Sequence, residues 1–245
     1  GVDSLRDAAG VDGLLAHAVP AEREAVARST GLEVEGELEG DAPTWVYDLE
    51  VIRYHRDGEP PALPPTAHLP QWSGTQQWAF ADFVQRVPPI IERDERAGNA
   101  PHPELALFVP DSAARQFIGG TMDALNVEDM GGGPVLLIPL DAERIESPLF
   151  KLPAGPRSWL FGLLRAASPV DVPRLQEINV SLYRSAQTLG ALRYPCDSLQ
   201  LPADDASWAQ HYGDRWATVL RGRAIADPHR LLAVNANHTP AGQEQ

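Results

Sequence analysis

The stretch NAPHPELALFVPDSAARQF, residues 99–117, carries most of what the sequence says about the fold. An apolar run from Leu105 to Val109 is fenced by Pro101 and Pro103 before it and by Pro110 after it. Proline has no N–H to give to a ladder, so it marks where a strand starts and stops. The run is apolar in both phases of the two-residue period. That pattern predicts a central strand covered on both faces. Asp111 or Ser112 can cap a helix from about Ala113 to Leu125.

Working outward, the same grammar recurs. GGGPVLLIPL, residues 131–140, predicts a second proline-fenced strand, with the glycines read as a turn. SWLFGLLRA, 158–166, reads as a strand, with a short buried helix as the alternative. WVYDLEVIRYH, 45–55, alternates: Trp45, Tyr47, Leu49 and Val51 on one face, Asp48 and Glu50 on the other with Val46 and Ile52. VPRLQEINVSLYRSAQTLG, 172–190, predicts a helix with an apolar stripe of Leu175, Ile178, Leu182, Tyr183 and Leu189. Pro173 suits its first turn and Gly190 its end. Further helices are expected from Thr75 to about Val87, broken at Pro88 and Pro89, and from about Asp205 to Arg223. DGEPPALPPTAHLP, 57–70, is an extended loop. Residues 1–44 give weak signals: a short helix in AEREAVARSTG, and an exposed strand or acidic loop in GLEVEGELEGD. The order of elements favours an α+β fold, a mainly antiparallel sheet covered on one face by helices.

Composition narrows the function class. The 245 residues are 43% hydrophobic and 22% charged, ordinary values for a soluble domain with a real core. A net charge of −14 argues against nucleic acid or an anionic membrane as partner. Cys196 is the only cysteine, so no internal disulfide forms. Lys151 is the only lysine, and the Ala, Arg, Pro and Gly content is that of GC-rich coding, expected of a bacterial source. No apolar run approaches membrane-spanning length, and the first twenty residues are not a signal peptide, so a cytoplasmic location is expected. The chain opens on Gly1 rather than Met and is read as a fragment or a processed piece.

Self-contained catalytic motifs are absent. No phosphate-binding G-x-x-x-x-G-K-[ST], dinucleotide G-x-G-x-x-G or G-x-S-x-G elbow occurs. The seven histidines have no paired metal-ligand spacing. Asp48 and Glu50 form the neat carboxylate pair, for which a solvated strand face is the plainer reading than acid/base chemistry. Two classes remain on these grounds: a binding domain whose chemistry comes from elsewhere, and an enzyme with a dispersed site.

Six segments, taken in order over about residues 45–235, resemble the C-terminal half of cytokinin dehydrogenases, FAD-linked oxidases of the vanillyl-alcohol-oxidase type. They are WVYDLEVIRYH, ADFVQRV, NAPHPELALFVP, GPVLLIPLDAERIE, FGLLR and WAQHYGDRWATVLRGRAIADPHRLLAV. The resemblance implies a substrate-binding cap domain over 1–200 and a helical segment over 201–245 that returns to an FAD-binding domain, the missing N-terminal half. It implies FAD as cofactor, and hydride abstraction from a C–H beside an amine nitrogen of a small-molecule substrate. It implies that strands 104–109, 135–139 and 159–165 roof the flavin and substrate. The expected lining residues are Leu105, Leu107, Ile138, Leu140, Ile145 and Pro195, with Asn235 near the flavin. Ile145 stands where the family has a substrate-sandwiching Trp, Pro195 where it has a Leu, and Glu104 where it has the Trp of P-H-P-W. No catalytic residue and no metal is expected within the chain. The alternative reading is a stand-alone, non-catalytic domain that binds a small molecule.

Overall fold

The computed structural model describes residues 12–22, 25–26, 44–56, 58, 74–85, 100–131, 133–147, 149–194 and 205–229. Its centre is a six-stranded sheet: β1 (Gly13–Pro20), β2 (Trp45–Ile52), β3 (Leu105–Pro110), β4 (Val135–Asp141), β5 (Arg157–Leu163) and β6 (Leu192–Arg193). The spatial order is β2-β1-β4-β5-β3-β6, and every pairing is antiparallel. The helices are α1 (Phe80–Val84), α2 (Asp111–Ala124), α3 (Val172–Thr188), α4 (Asp205–Tyr212) and α5 (Trp216–Ala226). This is the expected α+β class.

Two-residue alternation sorts the sheet into two unlike faces. The first carries Ala16 and Ala18 of β1, Trp45 and Leu49 of β2, Leu105, Leu107 and Val109 of β3, Val135 and Leu137 of β4, and Phe161 and Leu163 of β5. These form one core with Ala113, Ala114, Phe117 and Met122 of α2 and Ala186 of α3. The α2 residues recur at helical spacing, which is why this helix lies along the sheet. Leu105, Leu107, Val135, Phe161 and Leu163 are fully shielded from water. Each such side chain contributes about 1.5–3 kcal/mol by burial.

Strand β1 was not expected. GLLAHAVP has two alanines and a histidine and shows no clean alternation; its partners on both sides, β2 and β4, make it a strand. Over 157–163 the strand reading prevails over the buried-helix alternative. The expected side-chain cap of α2 does not form: Pro110 is the N-cap residue, and Asp111 opens the helix. Asp111 instead accepts a 2.7 Å hydrogen bond from Trp159 Nε1, tying α2 to β5. Thr75–Ala79 are not helical, and α1 is a single short turn of helix ending at Val84. Pro88 and Pro89 lie outside the described residues. The single helix expected over 205–223 is two helices, because Gly213 sits at φ 57° and a 3-10 turn, Gly213–Arg215, joins them.

The glycine turn before β4 has a steric cause. A Cβ on Gly131 would stand 1.6 Å from the Ala166 carbonyl oxygen, and one on Gly133 would stand 1.8 Å from that of Leu164. Both positions let the turn pass against the end of β5, and Gly131 also takes φ 60°.

Candidate functional site

The second face of the sheet holds the candidate site. It carries Leu15 and His17 of β1, Asp48 and Glu50 of β2, Leu136, Ile138 and Leu140 of β4, Ser158, Leu160 and Gly162 of β5, and Ala106 and Phe108 of β3. This follows from the register, which places Ala106 beside Gly162, Gly162 beside Leu136, and Leu136 beside His17. The next row places Phe108 beside Leu160 and Leu160 beside Ile138. Leu136, Ile138, Leu140, Leu160 and Ala106 are half-buried, whereas Phe108, Ser158 and Gly162 on the same face are buried.

The relief of this face comes from side-chain size. Ala106 and Gly162 are cross-strand partners, so two neighbouring positions carry almost no side chain. Phe108, Leu160 and Ile138 rise in the adjoining row, and Leu136 stands at the end of the small pair. These side-chain sizes imply a shallow apolar trough across β3 and β5. A Cβ on Gly162 would already lie 3.3 Å from Leu136 Cβ, so the trough is shaped by that glycine.

An aromatic wall closes one end. Phe108 meets Phe150 edge-on at 5.1 Å and Tyr194 at 5.5 Å between ring centres. Edge-to-face rings at these separations prefer fixed relative orientations. The far side is polar: His17 Nδ1 lies 3.9 Å from Asp48 Oδ2. Beyond it, Val19 and Val46 are covered by Ala25 and Val26 in a small second core. Among the described residues, no cluster of His, Cys, Asp and Glu suits a metal ion.

The expected lining residues do not all meet here. Leu105 and Leu107 lie on the first face, wholly buried under the helices. Ile138 and Leu140 lie on the trough face and are half-buried. Ile145 is half-buried just after the 3-10 turn Ala142–Arg144, whose N-cap Asp141 accepts from Glu143 N–H. Pro195 and Asn235 lie outside the described residues. Ala106, Phe108, Leu160 and Gly162 lie within the strands expected to roof the site but were not singled out individually in the sequence. A strand that is apolar in both phases does not say which phase faces the helices, so Leu105/Leu107 and Ala106/Phe108 were indistinguishable by pattern. Phe150 and Tyr194 had no periodic signal; only their contacts with Phe108 place them.

A buried polar cluster supports the mouth of β3. Arg165, wholly buried, donates through Nη1 to Asn179 Oδ1, and Asn179 Nδ2 donates to the carbonyls of Pro103 (3.0 Å) and Glu104 (3.2 Å). Burial pulls the Arg165 guanidinium down to about 10, against the carboxylate of Asp129, which favours its charge. Asp129 also accepts from Arg174 at 2.8 Å. His102 Nδ1 lies 3.1 Å from the Arg165 carbonyl oxygen. Burial raises the Glu104 carboxyl above its ordinary range.

Much of this chain aligns with known proteins. Residues 64–237 match the family described as "Cytokinin dehydrogenase 1, FAD and cytokinin binding". The chain is 31% identical over 158 residues to the uncharacterized oxidoreductase ORF5 of the fasciation locus of Rhodococcoides fascians, covering 63% of this chain and 35% of that protein. It is 26% identical over 204 residues to cytokinin dehydrogenase 2 of Arabidopsis thaliana, covering 77% of this chain and 40% of that protein. With cytokinin dehydrogenase 5 of rice, Oryza sativa subsp. japonica, the identity is 28% over 172 residues, 65% of this chain and 31% of that protein. The matches thus span about a third to two fifths of the relatives' own length.

Proposed function

The chain belongs to the cytokinin dehydrogenase family, in its FAD- and cytokinin-binding region, and from that premise we propose that it is the substrate-binding part of an FAD-dependent oxidoreductase. Its reaction is oxidation of a C–H bond beside an amine nitrogen in a small molecule. The observation that carries this reading is the small cross-strand pair Ala106 and Gly162 beside half-buried Leu136, Ile138 and Leu160, on the sheet face opposite the helix-covered core.

The residues present fit a planar ring in part. Ala106 and Gly162 leave a flat floor, and Leu136, Ile138, Leu160 and Phe108 bound it with aliphatic and aromatic surface. No Gly-rich phosphate cradle occurs in the sequence, so the ring face fits and the pyrophosphate does not. FAD would therefore be held by an FAD-binding domain, and this chain would cover its ring. Bound flavin supplies the two-electron acceptor for a hydride.

What the chain itself does is pack, orient and exclude water. Leu136, Leu160 and Ile138 would keep the reacting carbon dry, which strengthens every electrostatic interaction nearby. The Phe108–Phe150–Tyr194 wall would fix the apolar end of the substrate. Ile138, Leu140, Ile145 and Pro195 are the proposed substrate-lining residues, with Leu105 and Leu107 supporting them from the core side. Asn235 is the proposed flavin contact.

The test is anaerobic mixing of the intact flavoprotein with a cytokinin while the visible flavin absorbance is followed. Bleaching of that absorbance is expected. Persistent absorbance with cytokinins and with other secondary amines would overturn the proposal.

A further inference from the structure

We propose that His17 is a specificity-determining residue at the polar end of the trough, where it accepts a hydrogen bond from a ring N–H of a flat nitrogen heterocycle. The assignment rests on the oxidoreductase reading and names a polar contact for the substrate of that same site.

The register sets the distances. One row of the second face runs Asp48, His17, Leu136, Gly162 and Ala106, each the cross-strand partner of the next. Neighbouring strands lie about 4.8 Å apart, so the backbones of His17 and Gly162 are about 10 Å apart. A two-ring heterocycle with a substituent spans that gap. Leu136, Gly162 and Ala106 have no hydrogen-bonding side chain, and neither have Ile138, Leu160 and Phe108 in the adjoining row. Along its row, His17 is the first polar side chain met from the small pair toward β1. The opposite end is the Phe108–Phe150–Tyr194 wall. The trough therefore has a direction. An apolar substituent points to the rings, the reacting carbon and its exocyclic amine lie over the small pair, and the heterocycle points to His17.

The imidazole is both reachable and oriented. Its side chain is 25% exposed, and that of Asp48 is 18% exposed. Nδ1 lies 3.9 Å from Asp48 Oδ2, an electrostatic contact too long for a hydrogen bond. With that carboxylate on the Nδ1 side, the neutral ring carries its proton on Nδ1 and leaves Nε2 as an acceptor. An acceptor selects a donor. A heterocycle with a ring N–H satisfies Nε2, and the same ring alkylated at that nitrogen desolvates it without a partner.

The intact flavoprotein, at about pH 8 where an ordinary imidazole is neutral, would be titrated calorimetrically with 6-anilinopurine and 6-anilino-9-methylpurine. Neither has an aliphatic C–H beside the exocyclic amine, so binding is read without turnover. The first, with its ring N–H, should bind at least about tenfold more tightly than the second. His17→Phe keeps a flat ring and loses the acceptor, and should reduce that preference to within about twofold. His17→Gln keeps an acceptor and should retain most of the preference, whereas a purely structural role would move both variants alike. Equal binding of the two purines by the unaltered protein, an unchanged preference in His17→Phe, or its loss in His17→Gln would each overturn the assignment. Flavin reduction by 6-benzylaminopurine, followed in parallel, separates the two readings. Reduction without the preference removes His17 alone. The preference without reduction by any amine supports the His17 contact and removes the oxidoreductase reading.

Discussion

Arg165 and Asn179 meet inside the protein: the guanidinium, with no exposure to water, donates to the Asn179 side-chain oxygen. Asn179 in turn holds the backbone carbonyls of Pro103 and Glu104 at the mouth of β3. One asparagine thus connects the end of β5, the middle of α3 and the start of the proline-fenced strand. Arg165 Nε and Nη2 have no other partner among the described residues.

Asn179→Leu should therefore destabilise the fold by about 3 kcal/mol, because it leaves a buried cation and two carbonyls unpaired. Combining it with Arg165→Met should recover at least half of that loss, since the buried charge goes too. Urea denaturation of the two single variants and the double variant measures this. A double variant that loses the full sum would sink the idea that the unpaired charge dominates.

His211 gives a pH signature. It is 8% exposed, and burial, with Arg193 and Lys151 adding positive charge, lowers its pKa to about 4. The folded protein thus holds His211 neutral where the unfolded chain, near its ordinary value of about 6.5, takes up a proton. Between about pH 6.5 and 4 the unfolded state binds more protons, so stability falls as the pH drops. The loss is of order 3 kcal/mol across that window. His211→Asn should flatten this part of the stability–pH curve in thermal melts at graded pH; an unchanged slope would assign it to other groups.

Two glycine pairs should behave oppositely. Gly131→Ala and Gly133→Ala each drive a Cβ into a backbone oxygen and should cost about 3 kcal/mol or more, or prevent folding. Gly119→Ala and Gly120→Ala lie on α2 with open space around the added carbon. Each should stabilise by about 0.5–1 kcal/mol. Melting temperatures of the four variants compare them directly.

The two sheet faces can be told apart by substitution. Leu107→Ala, in the helix-covered core, should cost about 2–5 kcal/mol. Ala106→Leu, one residue away, fills the half-exposed trough and should shift stability by less than about 1 kcal/mol. In the intact flavoprotein it should nonetheless slow substrate-dependent flavin reduction at least about tenfold. Unchanged reduction in Ala106→Leu would remove the trough from the substrate path.

The Trp159–Asp111 bond replaces the helix cap that the sequence suggested. Trp159→Phe keeps an aromatic ring and removes the N–H, and should cost about 1–2 kcal/mol, as expected for a hydrogen bond to a carboxylate. Chemical denaturation measures the difference. If the loss is negligible, α2 is held by its apolar face alone.

Much of the architecture is local and legible in the sequence alone. The proline fences around 105–109, the stripe on 172–188 and the glycine turn at 131–133 each follow from backbone chemistry within a few residues. The family resemblance is legible in the same way, from short segments in order, and residues 64–237 place the chain in that family. Strand β1 is beyond such reading, because GLLAHAVP becomes a strand only by pairing with β2 on one side and β4 on the other. The trough is beyond it for the same reason. Leu105 and Ala106 are adjacent and both apolar, and a two-residue period separates them without saying which one meets the helices. That choice is made by where α2 and α3 pack, and contacts between distant segments are what a linear pattern does not encode.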